Sequence, residues 1–95
     1  MGQNFLADKN VRDNIVDLLP VDKDTTVLEI GPGFGVMTFE IAARCGKVIA
    51  VEKDHEICRI MGPYYEKAGN IFLNEGDILE ADIPALTGKT GYILS

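Results

Sequence analysis

The chain is long enough for one small domain or for part of one. It has 95 residues, 46% of them hydrophobic and 25% charged, which is ordinary for a globular domain and excludes a disordered tail. No apolar run approaches the roughly 20 residues that a membrane helix needs. Nine basic against 15 acidic residues give a net charge of −6, which excludes a broadly basic nucleic-acid surface. Any contact with nucleic acid must therefore be local or supplied from outside these residues.

Hydrophobic periodicity and turn residues predict helices that alternate with strands. In chain order, the predicted segments are an extended arm over 1–6, a helix over 8–19, a strand over 25–30, a loop over 31–35, a helix over 36–45, a strand over 47–52, a helix from 54 onwards, a strand over 71–73, a helical turn over 83–86 and a strand over 91–95. Asp8 and Asp54 are the predicted N-caps, and Gly46 is the predicted C′ residue of the second helix. We expect the third helix to run through Met61, and we expect Gly62-Pro63 to break or restart it before 64–68, because proline lacks the backbone N–H.

Strands that alternate with helices indicate an α/β fold with a doubly wound parallel sheet. We expect the first four strands of a Rossmann-like sheet, which would make residues 1–95 the N-terminal part of a larger domain. The last predicted strand has no helix after it, so the chain looks truncated. An unpaired, apolar strand edge predicts that the isolated chain self-associates or is only marginally folded.

The two cysteines favour a cytoplasmic setting and no metal site. Cys45 and Cys58 lie 13 residues apart without a CxxC pair, and His55 is the single histidine. This spacing does not match a zinc site. We therefore expect both thiols to be reduced and to act as small buried side chains.

The strongest functional signal is the loop Gly31-Pro32-Gly33-Phe34-Gly35, which joins a predicted strand to a predicted helix. Glycine lets the backbone turn sharply and approach a ligand closely, and the helix that follows offers free N–H groups. Gly31 and Gly33 are therefore candidate cofactor-binding residues. Val36 stands where a dinucleotide fingerprint has its third glycine. A plain turn that binds no ligand is the alternative.

Two carboxylates follow predicted strands at the edge where this fold binds ligands. Glu52 comes 21 residues after Gly31 and is placed to accept both hydroxyl hydrogens of a ribose; its alternative is a solvated strand-end charge. Asp77 lies 25 residues further on and can accept from an exocyclic amine such as adenine N6, while Ile78 can offer a backbone N–H to a ring nitrogen. An aspartate that only supports a turn is the alternative for Asp77.

Glu29 interrupts an apolar strand, and a buried carboxylate needs a partner. A cationic ligand near the strand end and a salt bridge to a nearby lysine are both open. Gly88-Lys89-Thr90 is not a P-loop, because Ile83 stands where that motif has a glycine. The aromatic residues are expected to serve packing, and they include Phe34, Phe39, Tyr64, Tyr65 and Phe72.

Four segments of the chain together carry a resemblance to a known protein family. They are Gly2-Gln3-Asn4-Phe5-Leu6, VLEIGPGFG over 27–35, VIAVEKD over 48–54 and Gly76-Asp77-Ile78. Together they resemble the ribosomal RNA adenine N6,N6-dimethyltransferases of the KsgA type. The glycine motif is common to many methyltransferases, and the arm placed ahead of it narrows the resemblance to this family and its relatives. The related Erm methylases share the arm but usually lack the proline found here at position 32.

The resemblance implies an S-adenosylmethionine-dependent enzyme whose partner is ribosomal RNA or the small ribosomal subunit. Asn4 and Leu6 of the arm would close over the cofactor, and the backbone of Gly31 would approach its methionine part. Glu52 would hold the ribose hydroxyls, and Asp77-Ile78 would read the adenine. These roles agree with those that the residues themselves suggest at Gly31, Glu52 and Asp77.

The sequence departs from the family at its end. The family's catalytic motif, Asn-Leu-Pro-Tyr or similar, follows the fourth strand and is not reached before Ser95. We therefore assign no catalytic residue within this chain and expect the isolated chain to be inactive. Two alternatives stay open. An NAD-binding Rossmann domain of an oxidoreductase leaves Asp77 and the arm unexplained, and a non-catalytic binding module cannot be separated from the enzyme fragment by sequence.

Overall fold

The computed structural model describes residues 9–78 and 92–94 and confirms that helices alternate with strands. The elements are α1 (Lys9–Asp17), β1 (Thr26–Ile30), α2 (Thr38–Ala42), β2 (Lys47–Glu52), α3 (His55–Ala68), β3 (Ile71–Glu75) and β4 (Tyr92–Leu94). The arm predicted over 1–6, the N-cap predicted at Asp8 and the helical turn predicted over 83–86 lie outside the described residues.

The four described strands form one parallel sheet in the order β3-β2-β1-β4. Leu28 of β1 lies opposite Ile49 of β2 on one side and opposite Ile93 of β4 on the other. The chain therefore builds outward from β1 to β3 and then crosses back to pair β4 with β1. This reversal is the switch point of a doubly wound sheet and confirms the predicted partial Rossmann-like fold.

Side chains of the sheet are buried on both faces, which explains why β2 is apolar almost throughout. Val27, Val48 and Ile71 face the side that carries all three described helices. The helical residues in this core are Val16, Ile41, Ala42, Met61 and Tyr65. Leu28 and Ile49, which follow Val27 and Val48 along β1 and β2, point to the opposite face, because successive side chains of a strand alternate between faces.

The third helix runs without a break through Gly62-Pro63, so the prediction of a break there was wrong. Proline inside a helix costs roughly 3 kcal/mol. Two features offset that cost. Met61 and Tyr65, four residues apart on one helix face, are both buried against the sheet. Asp54 caps the helix as predicted, since its side chain accepts hydrogen bonds from two backbone N–H groups.

The second helix is shorter than predicted at both ends. Residues 36 and 37 still belong to the turn that follows the glycine loop, and the helix ends at Ala42 rather than at Cys45. Gly46 does not end it in a left-handed conformation, so that prediction was also wrong. A Cβ at Gly46 would collide with the backbone oxygen of Lys23. Glycine is needed there for the close approach of two chain segments, and the N–H of Gly46 donates to the Thr25 oxygen at 3.0 Å.

Candidate functional site

One cavity at the carboxyl edge of the sheet brings together four of the predicted site residues. Its volume is about 150 Å³, and its lining includes Gly31, Glu52, Asp77 and Ile78. Gly31 follows β1, Glu52 is the last residue of β2, and Asp77 and Ile78 come after β3. The carboxyl ends of these strands meet at one edge because the strands are parallel. The cavity therefore lies where open α/β sheets bind ligands.

The glycine loop is left-handed at three positions, with φ values of +68° at Gly31, +59° at Gly33 and +83° at Gly35. Residues that carry a side chain rarely adopt such backbone angles, so each position favours glycine. A Cβ at Gly31 or Gly33 would meet nothing within 4 Å, whereas one at Gly35 would lie 2.5 Å from the Phe39 ring. The first two glycines thus face open space, and the third serves close packing.

Glu52 is the anchor of the site. Its Oε1 accepts the N–H of Gly33 at 3.1 Å, and its Oε2 accepts the N–H of Asp54 at 3.0 Å. Only 6% of the residue is exposed. This burial argues against the alternative of a solvated strand-end charge. The carboxylate instead ties the glycine loop to the start of α3.

The segment after β3 closes the cavity from the other side. The N–H of Gly76 donates to the backbone oxygen of Glu52 at 2.8 Å, which fixes this segment beside the end of β2. Asp77 is exposed, and Ile78 is half-buried against the cluster of Leu28, Ile49 and Val51. The roles of Asp77 and Ile78 toward an adenine stay predictions.

Glu29 has a neutral partner within the described part of the chain, and no lysine pairs with it there. Its Oε1 accepts the hydroxyl of Thr38 at 2.6 Å, and both residues are buried. Burial raises the pKa of the Glu29 carboxyl, and the hydrogen bond from Thr38 opposes that rise. Thr38 is the first residue of α2, three positions after the glycine loop, and the sequence assigned it no role.

Sequence reasoning missed Tyr65, which was expected only to pack. Its hydroxyl donates to the backbone oxygen of Gly33 at 2.7 Å, so the residue contacts the glycine loop directly. Burial raises the pKa of Tyr65 to about 12. The two residues are 32 positions apart, and nothing in their spacing signals the contact.

The remaining features do not add to this site. Asn4 and Leu6 lie outside the described residues. A larger groove of about 800 Å³ runs between α3 and β3, past Pro63 and Phe72, and none of the predicted site residues lines it. Among residues 9–78 and 92–94, no three His, Cys, Asp or Glu side chains come together as metal ligands. Within the same residues, no helix has the length and apolar character to cross a membrane.

Comparisons with known proteins converge on one group. A family model described as Ribosomal RNA adenine dimethylase matches residues 1–91. Ribosomal RNA small subunit methyltransferase A of Pelotomaculum thermopropionicum is 45% identical over 92 residues, which are 94% of this chain and 30% of that protein. Its counterpart in Mycoplasma capricolum is 37% identical over 91 residues, which are 96% of this chain and 34% of that protein.

The solved structures agree on the fold. The crystal structure of 23S rRNA methyltransferase ErmE superimposes with a TM-score of 0.75 and 32% identity, covering 83% of this chain and 32% of that one. The chain therefore spans only a minor part of the proteins that it matches.

Proposed function

The chain belongs to the ribosomal RNA adenine dimethylase family, and from that membership we propose that it forms the S-adenosylmethionine-binding portion of an enzyme that dimethylates adenines of small-subunit ribosomal RNA. The observation that carries the proposal is the buried carboxylate of Glu52, fixed beside the glycine loop at the mouth of one cavity. Membership of the family implies the cofactor, and the arrangement of the site is suited to it.

The residues fit a nucleoside with a tail. Pockets that take a whole small ligand measure roughly 300–1,000 Å³, so a cavity of about 150 Å³ takes only part of such a ligand, which we propose to be the end that carries the adenine. The tail then passes over Gly31 and Gly33, where the space beside each Cα is open. A Cβ at either glycine would project into that space. The fit supports a cofactor that combines a nucleoside with an amino-acid chain.

Each side chain has one task in this arrangement. A carboxylate has about four acceptor positions, and backbone N–H groups take two of those on Glu52. The remaining positions are proposed to accept the two ribose hydroxyls. Asp77 is proposed to accept from the exocyclic amine of adenine, and the N–H of Ile78 to donate to a ring nitrogen. We also keep Asn4 and Leu6 as residues that close over the cofactor.

Bound S-adenosylmethionine supplies an electrophilic methyl group for transfer to adenine N6. What this chain contributes is orientation of that methyl donor, because holding a reactant in place removes an entropic part of the barrier. Ribosomal RNA or the small ribosomal subunit is the proposed partner. With a net charge of −6 on these 95 residues, we expect the cofactor interaction to dominate their role.

We also propose a compartment for the protein and an assembly state for the isolated chain. The described cysteines, Cys45 and Cys58, are free and buried, which supports the cytoplasm as the compartment. Self-association of the isolated chain stays a prediction.

Ligand choice tests the proposal. Isothermal titration calorimetry of the folded chain is expected to detect S-adenosylmethionine and S-adenosylhomocysteine, and to show weaker or no binding of NADH. The comparison with NADH is informative because an NAD-binding domain would use the same glycine loop and Glu52. Tighter binding of NADH than of S-adenosylhomocysteine would refute the methyltransferase reading.

A further inference from the structure

The residue Gly33 is held from both of its sides by buried side chains. Its N–H donates to Oε1 of Glu52 at 3.1 Å, and its C=O accepts the hydroxyl of Tyr65 at 2.7 Å. Glu52 comes from the end of β2, and Tyr65 comes from the fourth turn of α3. These two groups flank the Cα of Gly33, so together they fix the rotation on either side of it.

Such fixing is needed because glycine alone does not choose a conformation. Gly33 has φ of +59°, and glycine populates positive and negative φ about equally. The space beside its Cα is open, since a Cβ there would meet nothing within 4 Å. Hydrogen bonds therefore select the left-handed conformation at Gly33. A backbone bond from the N–H of Gly35 to the Pro32 oxygen at 3.0 Å closes the turn that contains Gly33, and the two side chains hold the residue's own N–H and C=O.

The position of the Tyr65 hydroxyl is itself well defined. The residue is completely buried, and its ring lies 5.3 Å from the Phe39 ring, centroid to centroid, at an interplanar angle of 38°. A Cβ at Gly35 would come within 3.1 Å of the Tyr65 ring, so the loop packs directly on it. The ring thus holds the hydroxyl in a fixed place relative to the loop.

We propose that Tyr65 is a positioning residue, whose hydroxyl selects the conformation of Gly33 in which the glycine loop is open to the cofactor and its N–H meets Glu52. The proposal rests on the cofactor-binding function above. It assigns to α3 a part in the site, although no residue of α3 lines the cavity. Because the pKa of Tyr65 is raised to about 12, the hydroxyl remains a donor throughout the neutral range.

The variant Tyr65→Phe tests this assignment, since it keeps the buried ring and removes only the hydroxyl. Tyr64→Phe is the matched control, because it makes the same change at the neighbouring position, where 62% of the residue is exposed. Calorimetry with S-adenosylhomocysteine is expected to show binding weakened about fivefold or more by Tyr65→Phe, the effect of losing roughly 1 kcal/mol, and unchanged by Tyr64→Phe.

Nuclear magnetic resonance provides a readout that a general loss of stability would not move. In Tyr65→Phe, the amide resonance of Gly33 is expected to shift and its hydrogen exchange to accelerate, while amides of β2 keep their protection. Saturation with S-adenosylhomocysteine is expected to return the Gly33 resonance toward its original position, because the ligand then selects the same conformer. In Tyr64→Phe the Gly33 resonance should stay in place.

The outcomes separate the two proposals. An unmoved Gly33 resonance in Tyr65→Phe, or unchanged affinity, would overturn the positioning role. Failure of the unmodified chain to bind S-adenosylhomocysteine would overturn the cofactor proposal, and the Gly33 resonance would still decide whether Tyr65 fixes the loop. Should Tyr65→Phe not fold, the unmodified chain provides the decision: a slowly exchanging Tyr65 hydroxyl proton with a nuclear Overhauser contact to Gly33 supports the role, and its absence overturns it.

Discussion

The substitution Glu52→Gln tests whether the side chain of Glu52 binds a ribose or only fixes the glycine loop. Glutamine has the same size, but it replaces one oxygen by an NH₂ group, which cannot accept. One of two backbone N–H groups, that of Gly33 or that of Asp54, then loses its acceptor. One ribose hydroxyl loses its acceptor as well.

The losses of stability and of ligand affinity are both large enough to measure. A hydrogen bond to a charged group contributes about 1.5–3 kcal/mol, so the unliganded variant is expected to stay folded with a lower free energy of unfolding. This is a larger effect on the fold than a solvated strand-end charge would have. Affinity for S-adenosylhomocysteine is expected to fall by about 1–3 kcal/mol, or roughly 5-fold to 150-fold.

The assay combines urea denaturation with calorimetry on the same preparations. Glu66→Gln is the matched control, because it removes the same charge from an exposed position on α3, outside the cavity at the sheet edge. A folded Glu52→Gln chain with unchanged affinity would refute the ribose assignment. Unchanged stability would show that the two backbone hydrogen bonds of Glu52 are not made in solution.

Two further predictions concern residues around the loop. Burial raises the pKa of Glu29 above its ordinary value of 4.5. Between these two pKa values the folded chain retains a proton that the unfolded chain releases. The free energy of unfolding therefore falls as the pH rises from 4.5 through the raised pKa. Glu29→Gln is expected to remove this fall in urea titrations at successive pH values, and an equally steep fall in the variant would contradict the assignment. Gly31→Ala is expected to cost about 1–2 kcal/mol of stability, because alanine disfavours a left-handed backbone. Gly35→Ala is expected to lower the melting temperature further, because only at Gly35 would the new Cβ also collide with Phe39. Equal melting temperatures followed by circular dichroism would argue against the packing role of Gly35.

Local signals predicted most of the sheet and the location of the candidate site. The β-branched run of β1 and the apolar run of β2 are properties of neighbouring residues, and a parallel sheet then brings the ends of both strands to one edge. Gly31 and Glu52 meet for that reason alone. The prediction needed no knowledge of side-chain packing, only of strand direction.

The errors and omissions came from contacts between distant segments. Pro63 has the local signature of a helix break, but burial of Met61 and Tyr65 on either side of it sustains α3. Gly46 has the signature of a helix end, yet its lack of a side chain is required by Lys23 in another segment. The bond from Tyr65 to Gly33 likewise depends on how α3 lies over the loop, which no local pattern encodes.

The geometry of Glu52 explains why a carboxylate suits this position better than an amide. A side chain that both fixes the loop and holds a ribose must accept four hydrogens, and only an ionised carboxylate has the acceptor positions for all of them. Its two backbone donors come from Gly33 and Asp54, which belong to the loop and to the start of α3. Any movement of Gly33 therefore changes the acceptor geometry that remains for the ligand. On the proposed cofactor binding, loop conformation and cofactor affinity would be coupled through this one side chain, and Tyr65, on the other side of Gly33, would act on the same coupling.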